Sequence, residues 1–277
     1  MRIHHLNCGT MCPFGGRLFD GRSPLLGTAR IVCHCLLVEA EGALILVDTG
    51  FGTADVARPR QRLGLPFAAL VRPRPDPAET AIAQVRALGH DPADVRHIVL
   101  THLDLDHAGG LADFPAAEVH VFRPEHEAAM QPGLRERLRY RSAQWEHGPR
   151  WVLHEAEGDR WLGFECVRVL PGSGAEVALV PLAGHTRGHT GVAIRGESGW
   201  LLHCGDAYFH GGEIADPPSC PPGLRAFASA TALDRGGYAR NVERLRELAR
   251  ERAGEVTLFC SHDAAELERL AAGEGRA

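Results

Sequence analysis

The sequence predicts an α/β protein in which two β-sheets pack together under a cover of helices. Three observations point there. Short apolar runs bounded by Gly, Asp or Pro recur along the 277 residues, helix signals fall between them, and strands come first in each half of the chain with helices later. A composition of 44% apolar and 23% charged residues, with 32 Gly and 18 Pro, fits an ordinary globular chain and excludes collagen-like, disordered and small disulfide-scaffold proteins. With no repeat, low-complexity tract or linker in view, residues 1–277 read as a single domain.

The apolar runs Ile31 to Val38, Ala43 to Val47, His97 to Thr101, Glu118 to Phe122, Val177 to Leu182, Trp200 to Cys204 and Val256 to Cys260 read as strands. Asp76-Pro77-Ala78-Glu79 opens a helix, with Asp76 as cap, Pro77 in the first turn and Glu79 at the capping-box position. Ile82, Val85 and Leu88 stripe that helix, and Gly89 ends it. A longer helix spans about Arg235 to Arg252, with Val242, Leu245 and Leu248 inward. Gly52 to Pro75 and Tyr208 to Asp234 fit no regular element and are expected to wall a substrate pocket; the five arginines of the first equally suit a solvated or dimer-facing loop.

Charge excludes some functions. The formal net charge is −5, from 30 basic and 35 acidic residues, and no basic block marks a nucleic-acid binder. Every basic residue is Arg, so a Schiff-base lysine, a P-loop lysine and a Lys base are excluded together. No stretch has the form of a signal peptide or approaches the roughly 20 apolar residues of a membrane span, so the expectation is a cytoplasmic protein without a membrane partner. Eight cysteines then read as buried thiols; Cys33 and Cys35 would share one strand face, and no C-x-x-C pair supports a zinc site there.

The chemistry concentrates in Leu100-Thr101-His102-Leu103-Asp104-Leu105-Asp106-His107-Ala108-Gly109-Gly110, which leaves a strand for a Gly-Gly turn. Imidazoles and carboxylates converging at a strand end suit a divalent metal, whereas capping by Asp106 alone explains neither histidine. Gly184-His185-Thr186-Arg187-Gly188-His189-Thr190, His203-Cys204-Gly205-Asp206 and Cys260-Ser261-His262-Asp263 each follow another strand. Four strand ends presenting His or Asp are what a binuclear site requires.

With Val47-Asp48-Thr49-Gly50 upstream, this ordered set resembles the metallo-β-lactamase superfamily, and its layout is most similar to the N-acyl-homoserine lactone lactonases. The resemblance implies an αββα sandwich of two mixed sheets with metals at one edge. It places one metal on His102, Asp104 and His185, a second on Asp106, His107 and His262, and Asp206 between them, with Asp48 and His189 in support. It departs from the usual pattern at Asp104, where a second His is common and flavodiiron proteins carry Glu. Two divalent ions, three aspartates and a bridging hydroxide sum to a neutral core, one charge below the all-His version; zinc is expected, with Mn or Fe admitted by Asp104. Lactonases of this branch carry a Tyr three residues after the bridging Asp. Here Tyr208 follows Asp206 by two and Phe209 by three. Arg187 stands where Pro is usual and is expected to face solvent.

The implied function is hydrolysis of a lactone or related carboxylic ester by a metal-bridging hydroxide, with Tyr208 assisting the oxyanion and Asp106 protonating the leaving alkoxide. A glyoxalase II-like thioesterase shares the motifs. A diiron oxidoreductase is the alternative of another class, although no flavin domain is evident in the sequence. The expected partner is a small-molecule substrate, with a homodimer as a further option.

Overall fold

The computed structural model describes residues 1–170 and 173–273. In the first sheet lie β1 (Arg2–Met11), β2 (Ile31–Ala40), β3 (Ala43–Val47), β4 (Pro73–Arg74), β5 (Val95–Val99), β6 (Glu118–Phe122) and β7 (Arg150–His154), in the order β4-β1-β2-β3-β5-β6-β7. The second holds β8 (Asp159–Trp161), β9 (Phe164–Val169), β10 (Val177–Pro181), β11 (Thr190–Gly196), β12 (Gly199–His203) and β13 (Val256–Phe259), in the order β13-β12-β11-β10-β9-β8. Both are mixed: β3, β5, β6 and β7 run parallel in the first, and only β12 and β13 do so in the second.

The two-residue period of a strand sorts the core into layers. Leu36 and Val38 of β2 meet Leu179, Val192, Ile194 and Phe259 of the opposite sheet. Cys35 and Leu37, pointing the other way, meet Ala81 and Val85 of the helix Ala81–Ala87 and Ala128 of the helix Arg123–Met130. On the far side, Val242, Leu245 and Leu248 of the helix Arg235–Glu251 cover Ala193, Leu202 and Leu258. Helix, sheet, sheet and helix therefore stack in four layers, as the αββα expectation had it, each fully buried Leu, Ile or Val contributing about 1.5–3 kcal/mol.

Local structure departs from expectation in the two stretches that fit no regular element in the sequence. Gly52 to Pro75 forms three short helices, Thr53–Ala57, Pro59–Leu63 and Leu65–Val71, with Pro59 and Pro66 in first turns, where a missing N–H costs nothing. Tyr208 to Asp234 contains the helix Pro222–Thr231, which begins in the same way. Asp76 caps only a 3-10 turn, Pro77–Glu79; Thr80 caps the helix that follows, and Glu79 turns away to Arg74 and Thr10. No helix among the described residues is long and apolar enough to cross a membrane.

One edge collects the strand ends that matter. β3 and β5 are parallel neighbours in the first sheet. In the second, β10 and β12 both run antiparallel to β11, and β13 runs parallel to β12, so all three finish at the same end.

Candidate metal centre

Each of those strands ends in a turn that carries polar side chains. After β3, Asp48 adopts a left-handed backbone (φ 55°), a strained conformation for a non-glycine residue. Its carboxylate accepts from the Thr101 amide at 2.8 Å, from Thr101 Oγ1 at 2.7 Å and from His107 Nδ1 at 2.8 Å, bonds that hold the strained turn in place. After β12, Gly205 (φ 55°) has no room for a side chain: a Cβ would lie 2.6 Å from His189 Nε2. Gly109 and Gly110 have helical or bridging backbones, so their role is close approach, with a Cβ at Gly109 falling 2.7 Å from Gly50 O.

These turns bring all seven expected ligands together. His102, Asp104 and His185 form one group whose ligand atoms lie within 4.8 Å of one another, and Asp106, His107 and His262 form another. Asp104 Oδ2 lies 3.0 Å from His185 Nε2 and 3.4 Å from His102 Nε2. Between the groups, Asp206 reaches His185 at 3.4 Å through Oδ2 and His107 at 3.3 Å through Oδ1, and each of its oxygens lies 3.2 Å from His262 Nε2. His189 Nε2 accepts the Asp206 amide at 2.9 Å, which fixes that turn from behind.

Hydrogen bonds on the outer ring nitrogens turn the inner ones toward the centre. His107 Nδ1–H donates to Asp48, His262 Nδ1–H to Val32 O at 2.7 Å, and His102 Nδ1 lies 3.0 Å from the Thr101 hydroxyl. Their Nε2 lone pairs then point inward. His102 Nε2, His107 Nε2, Asp104 Oδ1 and Asp206 Oδ1 are buried without a hydrogen-bond partner. Burial opposes charge on Asp206, yet His262, His107 and His185 outweigh it and hold its carboxyl well below the usual range. With the imidazoles neutral, the form in which they bind a metal, the four carboxylates Asp48, Asp104, Asp106 and Asp206 and the one guanidinium of Arg139 leave three negative charges that metal cations would neutralise. Nitrogen and oxygen lone pairs converging on excess negative charge fit a pair of divalent ions.

Tyr208 is placed elsewhere than expected. Fully buried, it packs with Cys204, Cys260 and Leu245, and its hydroxyl donates to Glu266 Oε1 at 3.2 Å. The irregular turn that follows β12 directs the phenol into the helix-covered core. Phe209 takes the site face instead, its ring stacked on His262 at 5.3 Å. The oxyanion role for Tyr208 is thus corrected: Tyr208→Phe is expected to keep turnover within about twofold of wild type and to cost about 1 kcal/mol of stability, read as kcat beside a denaturant midpoint. A loss of a hundredfold or more would restore the role.

Glu266 makes a separate pH prediction. Burial, with help from Asp263, pushes its carboxyl up to about 7. A folded value above the unfolded one means that this contribution to stability is full below about pH 4.5, declines as pH rises toward 7 and is lost above it, by about 3 kcal/mol in all. Glu266→Gln imitates the protonated acid, so the difference in Tm between variant and wild type is expected to grow in favour of the variant from pH 5 to pH 8. A constant difference would contradict it.

Two residues that matter escaped the sequence. Arg139, on an irregular stretch, donates to Asp104 Oδ2 at 3.0 Å and to the carbonyl oxygens of Thr231 at 2.7 Å and His185 at 3.3 Å. Burial would raise the Asp104 carboxyl, but Arg139 and His102 hold it well below its ordinary value. Glu125, buried at the start of a helix, accepts from Leu103 N, Tyr140 Oη, Thr186 Oγ1 and Gly188 N, joining the two histidine turns. Neither lies near a motif, and no local signal marks them. Arg187 pairs with Glu136 at 2.7 Å, half-exposed and away from the ligands. All eight cysteines are free thiols.

Above the cluster opens a cavity of about 570 Å³. Asp104, Asp106, His185, Asp206 and His262 line its floor, and Met11, Phe19, Ile31, Phe67, Leu105 and Phe227 are among its apolar walls. Both stretches expected to wall a pocket do so, through Leu63 to Val71 and Leu224 to Leu233.

Four stacked layers with a His/Asp cluster at the strand ends define a metal-dependent hydrolase. The chain belongs to the metallo-beta-lactamase superfamily, whose model matches residues 29–262. It is 44% identical over 264 residues to a probable metallo-hydrolase of Mycobacterium tuberculosis, covering 95% of this chain and 80% of that protein. It is 34% identical over 190 residues to the N-acyl homoserine lactonase AttM of Azorhizobium caulinodans, covering 67% and 64%. In structure it is similar to an N-acyl homoserine lactone hydrolase solved with the product N-hexanoyl-L-homoserine at its catalytic metal centre, with a TM-score of 0.72, 22% identity and coverage of 97% and 95%.

Proposed function

We propose that the protein opens a lactone or a closely related carboxylic ester at a centre of two divalent metal ions. The observation that carries this reading is the apolar cavity ending on inward-facing, unpartnered lone pairs. An apolar wall suits the chain of an acyl compound, and a floor without a Ser or Cys nucleophile suits hydrolysis by activated water. His102, Asp104 and His185 would hold one ion and Asp106, His107 and His262 the other, with Asp206 shared. When bound, such ions supply Lewis acidity toward a carbonyl and make hydroxide available near neutral pH. The residues do the rest. Asp48 and the Val32 carbonyl keep His107 and His262 in the tautomer that offers Nε2. Phe209 and Leu105 shield the floor from bulk water, and Asp106, facing the cavity, is placed to pass a proton to the departing alkoxide. Relatives named as lactonases support the lactone over other esters.

The test is a panel of lactones, thioesters and phosphodiesters assayed on protein of measured metal content. Acid release from a lactone, lost on chelation and regained with metal, is expected. Preferential thioester cleavage would favour the glyoxalase II-like alternative, and oxygen consumption by an iron-coloured protein would favour the diiron one.

A further inference from the structure

Around the mouth of the cavity, the helix Leu65–Val71 carries no polar side chain at any of its seven positions, yet only Val71 is buried. A helix apolar on all sides belongs in a core or against an apolar phase. Leu65, Leu70, Leu134, Leu138 and Phe14 are each between 57% and 83% exposed. Phe14, Leu70 and Leu138 line the cavity, and Leu65 and Leu134 adjoin residues that line it. Single exposed leucines are common on proteins, but these share one opening.

The two segments at this lip are rich in arginines, of which Arg62, Arg74 and Arg139 pair with acids and, among the described residues, the others do not. Residues 58–74 contain five arginines and no acid. Residues 131–141 contain four arginines, and their one acid, Glu136, is buried against Arg187. Arg141 donates to Arg62 O at 2.9 Å, which sets the two segments side by side. Arg58, Arg60, Arg135 and Arg137 are exposed, and their side chains make no ion pair among the described residues. On a chain of net charge −5, these four unpaired guanidiniums are a local excess of positive charge.

We propose that this lip docks on a lipid surface bearing anionic headgroups, the leucines entering the headgroup boundary and the arginines pairing with phosphates. A second copy of the chain is a poorer occupant. Two-fold pairing sets the same patch against itself, so unpaired arginines would face one another with no acid between them. Docked in this way, the cavity opens directly onto lipid, and an ester or lactone with an apolar chain enters without crossing water. That consequence rests on the proposed hydrolase reading, whereas the docking does not.

The experiment is co-sedimentation of the metal-loaded protein with vesicles of phosphatidylcholine alone or mixed with phosphatidylglycerol, at low and high salt. Binding to the anionic vesicles that weakens with salt is expected, with little on the neutral ones. Leu65→Glu with Leu134→Glu should lower it more than tenfold, and Arg58→Gln with Arg135→Gln by about thirtyfold, as expected for two arginines beside an anionic surface. These side chains are exposed and lie outside the metal cluster, and circular dichroism with metal content checks that each variant is folded. Failure to bind anionic vesicles, or binding unchanged in both variants, overturns the proposal. So does a wild-type dimer in analytical ultracentrifugation that Leu65→Glu with Leu134→Glu makes monomeric while neither vesicle is bound, since the lip then covers a second copy. Vesicle binding without hydrolysis of any ester would instead sink only the proposed reaction.

Discussion

Asp206→Ala is expected to release metal from both positions and to reduce hydrolysis on the order of a thousandfold or more, since each ion contributes several kcal/mol of transition-state stabilisation. The reason is its place between the groups: its carboxylate lies within 3.4 Å of His185, His107 and His262, so one truncation strips an anionic donor from two neighbouring cations. Secondary structure should survive, because Asp206 follows β12 in a turn held by its amide on His189 and by Gly205 packing on Thr101. Metal analysis after gel filtration, beside circular dichroism and turnover on the best substrate of the panel, decides the matter. A folded variant with two metals per chain and near-normal turnover would show that Asp206 is not shared.

The second large effect belongs to Asp104 and Arg139 together. Restoring the common motif with Asp104→His looks conservative on the sequence, where it raises the charge of the core by one and is expected to shift preference from Mn or Fe toward Zn. The structure adds a largely buried guanidinium 3.0 Å from that carboxylate. Arg139 returns the charge that Asp104 removes, so the ligand set resembles the all-His version in net charge while keeping an oxygen donor. Asp104→His alone would leave Arg139 buried beside an imidazole and a cation, a loss of about 3–5 kcal/mol for a stranded charge. The single variant should therefore melt lower and bind metal more weakly at that position, and Arg139→Met in the same chain should restore both and bring out the preference for Zn. A double-mutant cycle on Tm, with Zn–Mn competition on each apo-protein, reads the coupling. Additive effects would mean that the two residues act independently.

Much of the site was legible in the sequence because metal ligands obey strong local rules. His102 to His107 had to lie at one strand end, since six residues cannot scatter four ligand-type side chains. His185, Asp206 and His262 each followed an apolar run, and an α/β layout brings such ends to one edge. Strands such as β1, with His4, His5 and Asn7 among its residues, and β11, with Gly191 and Arg195 among its residues, lacked a clean apolar pattern and were not foreseen.

What the sequence by itself determined is the layered α/β architecture and the His and Asp side chains that gather at one edge, because periodicity and motif spacing are properties of neighbours along the chain. Only the tertiary structure decided what surrounds them. One residue of offset sent Tyr208 to Glu266 in the core and gave the site face to Phe209. Arg139 and Glu125 reach the ligands from stretches with no motif of their own. Arginines from residues 58–74 and 131–141, too sparse in either stretch to form a basic block, come together where Arg141 meets Arg62, beside the cavity that Arg135 and Arg141 line. Burial and electrostatics depend on distances through space, and a chain fixes those only when it folds.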